Sequence, residues 1–241
     1  MKLLLDRKEV NPDSKDKNDL TPLWSAAFGG HEGIVRLLLG RKEVNPDSKD
    51  KDGETPLWSA ANGGHEGIVK LLLDRKEVNP DSRDWNNITP LWSAAKCGHE
   101  GIVKLLLDRK DVNPNSKDKG GKTPLRNAAK RGHEGIVKLL LDRKEANPDS
   151  RKDGGQTPLC GAALGGHEGI AKLLLNRKEV NPDSTNDDGQ TPLSCAAEGG
   201  HEGVVKLLQA CSDAESDTET NYFSMSPSSA SESIYLDWSD D

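Results

Sequence analysis

The chain has 241 residues, 33% of them apolar and only 4% aromatic, and a formal net charge of −7, lean for a protein built around one central core. The charge is uneven: residues 211–241 hold eight acidic residues and no basic one, which leaves 33 basic against 32 acidic residues elsewhere. A near-neutral body gives no general case for nucleic-acid binding, and no apolar run is long enough to span a membrane.

The chain opens on Lys2-Leu3-Leu4-Leu5-Asp6-Arg7-Lys8-Glu9, which aligns with Lys70–Glu77 and predicts the back half of a helix already under way. No first helix and no polar cap precede it, although terminal units of a stacked array ordinarily present a polar outer face. Either the chain is a piece of a longer protein or its N-terminal edge is frayed. Met1–Leu5 is too short for a signal peptide and runs at once into charges.

A single phrase then recurs. Thr-Pro-Leu begins at Thr21, Thr55, Thr89, Thr123, Thr157 and Thr191, always 34 residues apart, and His-Glu-Gly follows in step from His31, His65, His99, His133, His167 and His201. A fixed period of this length signals stacked supersecondary units. Within a unit, Thr55-Pro56 predicts a helix start, the hydroxyl capping free N–H groups and proline suiting the first helical position. Leu57, Ala60 and Ala61 fall on one face at helical spacing, and Gly63-Gly64 ends the helix by admitting a left-handed residue. His65-Glu66 opens a second helix whose Ile68, Val69, Leu71, Leu72 and Leu73 supply buried surface, with Arg75 and Lys76 at its negative end. Each helix is about ten residues or fewer, too short to persist alone.

The connecting segment Val78-Asn79-Pro80-Asp81-Ser82 is turn-rich. Two residues before each Thr-Pro-Leu stand Asp19, Gly53, Asn87, Gly121, Gly155 and Gly189, all residue types that tolerate a left-handed backbone. That pattern predicts a tight hairpin-like finger projecting between successive helix pairs.

Two short helices and a finger, opening on Thr-Pro-Leu and carrying Asp52-Gly53-Glu54-Thr55-Pro56-Leu57, Ala60-Ala61, Gly64-His65 and Val69-Lys70-Leu71-Leu72-Leu73 in order, resemble the ankyrin-repeat family. The Trp-x-x-Leu-Gly-x-x-Tyr pattern of tetratricopeptide repeats is absent. The chain is similar to the highly regular arrays in large filamentous-fungal proteins, often joined to NACHT-type NTPase domains. The resemblance implies an all-α helix-turn-helix solenoid over residues 1–210: a partial unit at 1–14, then six units starting near Asp16, Asp50, Asp84, Asp118, Lys152 and Asn186. It departs from the family where His ordinarily follows Thr-Pro-Leu: Trp24, Trp58, Trp92, Arg126, Cys160 and Ser194 stand there. The glycine usual after the second helix is replaced by Arg75-Lys76-Glu77, and Asn79-Pro80-Asp81-Ser82 lengthens the loop. For the three tryptophans, packing between repeats is the favoured reading and an exposed aromatic stripe the other. Residues 211–241, rich in Ser, Asp and Glu, read as a disordered acidic tail, with Ile234-Tyr235-Leu236-Asp237-Trp238 an isolated aromatic cluster inside it.

Candidate chemistry is thin. The repeated histidines would lie about 10 Å apart from unit to unit, too far to share a metal ion, and no nucleophile, base and orienting group converge. We therefore expect no catalytic residues, no metal and no cofactor. Cys97, Cys160, Cys195 and Cys211 have no paired spacing, which argues against a disulfide framework and for a reducing, cytoplasmic setting, the nucleus remaining open.

What differs between repeats carries more information. In ankyrin-type arrays, contacts come mainly from finger tips and the outer side of the first helix. By position these are Lys51, Asp52, Glu54 and Asn62 in repeat two, and Trp85, Asn86, Ile88, Lys96 and Cys97 in repeat three. Repeat four contributes Lys119, Lys122, Lys130 and Arg131, with Arg126 nearby; the fifth and sixth offer acidic or neutral surface. The resemblance thus implies non-catalytic protein recognition in a concave groove, centred on Trp85, Ile88, Lys96, Lys122, Arg126, Lys130 and Arg131. The expected partner is an acidic or amphipathic protein segment, the chain itself being a monomer. The alternative is a structural or regulatory array fragment of a larger NTPase-linked sensor. A further expectation is an intramolecular contact between the basic centre and the acidic tail, regulated at Ser212, Ser216 and Ser229, each with Glu three residues on.

Overall fold

The computed structural model describes residues 11–211. The helix expected over Met1–Glu9 and the segment from residue 212 onward, with Ser212, Ser216 and Ser229, lie outside them.

The described residues form an all-α solenoid of twelve helices, two per repeat, with no strand among them. The first helices are α1 (Pro22–Phe28), α3 (Pro56–Gly63), α5 (Pro90–Cys97), α7 (Pro124–Arg131), α9 (Pro158–Gly165) and α11 (Pro192–Glu198). The second helices are α2 (Glu32–Leu39), α4 (Glu66–Leu73), α6 (Glu100–Leu107), α8 (Glu134–Leu141) and α10 (Glu168–Leu175), followed by α12 over 202–211.

Local chemistry sets the boundaries of the first helices. At each first helix the threonine hydroxyl accepts from the backbone N–H three residues on, as in Thr55 with Trp58 at 3.2 Å, and proline takes the first helical position. The helix stops at a left-handed glycine, Gly64 at φ +80° and Gly98 at φ +85°. Leu57, Ala60 and Ala61 face Ile68, Val69 and Leu72, all at most 1% exposed, and the same layer recurs along the stack.

The fingers take their shape from a side chain. Asp50 Oδ1 accepts from the N–H groups of Asp52 and Glu54, and Asp84, Asp118 and Asn186 do the same in their own units. The turn needs positive φ two residues before each Thr-Pro-Leu, which Asp19 (62°), Asn87 (60°) and the glycines supply. Lys152 replaces the carboxylate in repeat five, and there two consecutive glycines, Gly154 and Gly155, both take positive φ.

Adjacent units are joined by bonds that recur with the repeat. Each finger donates a backbone N–H to the one before it, Trp85 to Asp52 and Lys119 to Asn86 at 2.9 Å. The repeated histidines link the first-helix ends: Nε2 of His65, His99, His133, His167 and His201 lies 3.1–3.3 Å from the carbonyls of Phe28, Asn62, Lys96, Lys130 and Leu164. A carbonyl only accepts, so Nε2 carries the proton. On the opposite edge Arg109, Arg143 and Arg177 donate to the carbonyls of Leu73, Leu107 and Leu141. Those arginines complete the C-terminus of the preceding unit's helix, a task a glycine cap performs within one unit.

Candidate partner-binding groove

Fingers and first helices line one side of the solenoid, and that side carries the residues that vary. Trp85, at the tip of finger three, is 65% exposed. Its backbone is fixed by the bond to Asp52, and its ring lies across finger two: a side chain at Gly53 would start 3.0 Å from Trp85 Cδ1. Ile88, at the base of the same finger, is half-buried, its N–H held by Asp84 Oδ1 at 2.7 Å. Lys96 is also half-buried, and its ammonium sits 5.3 Å from the centre of the Trp92 ring.

Repeat four brings basic groups together. Lys119 and Lys122 stand on finger four, and Lys130 and Arg131 end α7. Lys119, Lys130 and Arg131 are exposed and Lys122 is half-buried. None of the four is held in an ion pair among the described residues.

Arg126 does not join them at the surface. It is 3% exposed and donates to Gln156 Oε1 of the next finger at 2.7 Å. Burial pulls its pKa below the usual arginine value. The register explains this: residues 24, 58, 92 and 126 share one position, directed at the base of the following finger. Trp92 fills it fully, 5% exposed, its Nε1 donating to the Lys122 carbonyl at 2.9 Å. Trp24 and Trp58 are half-buried with Nε1 enclosed and unpaired. Trp92 and Arg126 therefore pack between repeats, Trp24 and Trp58 only in part, and Arg126 bonds finger five.

Flanking this centre the surface is acidic. Glu54 of finger two is half-buried. Burial first, then the charges of Asp50, Asp52 and Asp84, push its carboxyl up to about 7. The sequence shows an acidic finger but not this proton affinity, which arises mainly because the fold buries the carboxyl, with Asp50, Asp52 and then Asp84 adding to it. One further proximity escapes the sequence spacing. Cys160 and Cys195 are both fully buried, and burial with the neighbouring Cys160 thiol pushes Cys195 up to about 11, the opposite of an activated nucleophile.

Among the described residues no group of three His, Cys, Asp or Glu is gathered to hold a metal ion, and no helix is long and apolar enough to cross a membrane. A surface cavity of about 660 Å³ lies on the loop edge among Leu39, Arg41, Val44, Pro46, Arg75 and Glu77. It recurs three repeats on, at about 400 Å³, among Leu141, Arg143, Ala146, Pro148, Arg177 and Glu179. That recurrence marks it as a product of loop stacking.

No curated protein matches the chain. A family model for ankyrin repeats matches it in three copies, over residues 1–84, 76–152 and 143–221.

Proposed function

We propose that this chain, which belongs to the ankyrin-repeat family, recognises its partner through the groove, with repeats three and four as the centre. Ankyrin repeats are in general protein–protein interaction modules, and typically non-catalytic. The observation that carries the finer reading is Trp85. A large aromatic side chain stands 65% exposed on a finger tip, where it serves no core, beside the unpaired cations of repeat four. Exposed tryptophan and arginine are the residue types most enriched among binding hot spots. The partner that fits is an acidic or amphipathic protein segment engaging Trp85, Ile88, Lys96, Lys122, Lys130 and Arg131, the chain acting as a monomer. Arg126 contributes from beneath.

The test is capture of partners by the wild-type chain against a Trp85→Ala/Lys130→Glu variant of unchanged thermal stability. Groove recognition requires the captured set to be lost; full retention leaves the alternative, a structural or regulatory array in a larger protein. That second reading is favoured by the unbroken ladder of inter-repeat bonds.

The acidic stretch from residue 212 fits the same centre as an intramolecular ligand, with Ser212, Ser216 and Ser229 as sites where phosphate would strengthen the contact. A random coil of about 30 residues would have a root-mean-square reach of about 30 Å, against roughly 20–30 Å for two to three repeat steps. Deleting 212–241 should then raise affinity for an acidic probe peptide at low salt; an unchanged affinity would dispose of the contact.

A further inference from the structure

The groove changes sign along its length, and this points to a more specific occupant than an acidic segment. On finger two, Asp50, Asp52 and Glu54 outnumber the one exposed cation, Lys51, and Asp84 joins them from finger three. None of the four is offset by an ion pair among the described residues. Asp50 and Asp84 already use Oδ1 to hold their own fingers. The indole of Trp85 extends over this finger, across Gly53 and one residue from Glu54. Two repeat steps from finger two the sign reverses, at Lys119, Lys122, Lys130 and Arg131.

Resting on the groove reading above, we propose that the groove selects an extended segment of opposed charge: a lysine or arginine side chain seated on Trp85 against finger two, followed by acidic residues over repeat four. An ammonium or guanidinium there gains the indole quadrupole and the adjacent carboxylates together. Acidic residues further along meet the four basic groups. Two steps of about 10 Å correspond to roughly six residues of extended chain at about 3.3 Å each, which fixes the distance between the two charge blocks. Opposed charges also set register: a slip of one repeat brings the cation toward Lys119, and like-charge juxtaposition is costly.

Glu54 gives the contact a signature. The titratable groups that face it are Asp50, Asp52 and Asp84, none of them positive, so near pH 7 it is only partly ionised. A bound cation favours the carboxylate. Binding therefore releases a proton, and affinity rises as pH is raised from 6 to 8.

Fluorescence anisotropy with the full chain at low ionic strength tests this with two labelled peptides. One carries an Arg-Lys pair, a six-residue Ser/Gly spacer and four acidic residues; the other replaces the basic pair by serine. The bipolar peptide should bind about tenfold tighter than the acidic one at pH 8 and only about twofold tighter at pH 6. Trp85→Ala should abolish the advantage at both pH values. Glu54→Gln, nearly isosteric, should leave one that no longer changes with pH. If the two peptides bind equally well, the bipolar proposal falls and the groove reading stands. If neither binds at micromolar concentration, the basic centre itself is overturned, and the proposal with it.

Discussion

At the scale of single residues, the same position in successive repeats works as an internal control. Asp47, Asp81 and Asp149 share a loop site where the carboxylate accepts a backbone N–H from the following loop, at Asn79, Asn113 and Asn181. In each, Oδ1 is enclosed without a partner, and burial raises the carboxyl above its ordinary value. Repeat three holds Asn115 there instead. Its Oδ1 accepts from Asn147 N–H at 2.7 Å, and its Nδ2 donates to the Glu145 carbonyl at 2.6 Å. The amide satisfies both neighbours where the carboxylate satisfies one. Asp81→Asn should therefore stabilise the chain at pH 7 by about 1 kcal/mol, the scale of one buried hydrogen bond. The sign with pH follows from the raised value. The folded state holds the Asp81 proton more tightly than the unfolded chain does, so the native aspartate is least costly in acid. Its cost appears as pH rises from the unfolded value near 3.8 through the folded one, and is constant above that. Urea denaturation of both proteins at pH 7 and pH 4 checks it: the gain should shrink in acid, and a gain equal at both would contradict the account. The column of five aspartates and one asparagine is visible in the sequence. That its second partner is a carbonyl thirty residues away is not.

At the scale of elements, the sequence is legible wherever the interaction is local. The threonine cap, the first-position proline, the left-handed glycine and the finger turn all act within about four residues, and each appears where its residues predict it. Bonds between units are another matter. From His65 onward, the histidine after each left-handed glycine reaches a carbonyl 37 residues back, and a repeated His-Glu-Gly discloses neither the direction nor the acceptor. Gly98 shows how tightly the two are combined. It takes φ +85°, and a Cβ there would lie 2.8 Å from Cε1 of His133, the ring bonded to the Lys96 carbonyl. Gly98→Ala should cost about 2 kcal/mol, from the left-handed penalty and the displaced histidine. Gly33, in α2, has nothing within 4 Å of such an atom and no positive φ; Gly33→Ala should stabilise by about 0.5–1 kcal/mol. Thermal melts of the two variants should move in opposite directions, and equal shifts would show that glycine position carries no such meaning here.

At the scale of the whole molecule, a solenoid adds one interface per unit, and its stability is close to a sum of nearest-neighbour contributions. The period alone establishes that architecture. Which variable residues meet a partner was less accessible, because the sequence does not say how deep a side chain sits. Arg126 falls beside the basic residues in order but lies at 3% exposure between repeats, in the position that tryptophan fills elsewhere. Trp85, by contrast, has no buried counterpart to serve and remains in solvent. Repetition therefore marks scaffold, and departures from it mark candidate function only after burial is known.

That division is the central claim, and exchanging the departures for the neighbouring pattern tests it most directly. Finger three takes the sequence of finger two through Trp85→Lys, Asn86→Asp, Asn87→Gly and Ile88→Glu, and α7 takes the corresponding α3 residues through Lys130→Asn and Arg131→Gly. The variant should melt within a few degrees of wild type, since no fully buried side chain changes, Ile88 being half-buried, and Asn87→Gly relieves a positive φ of 60°, while its captured partners are lost. Equal stability with an unchanged set of partners would contradict the claim and leave the repeated surface as the recognition element.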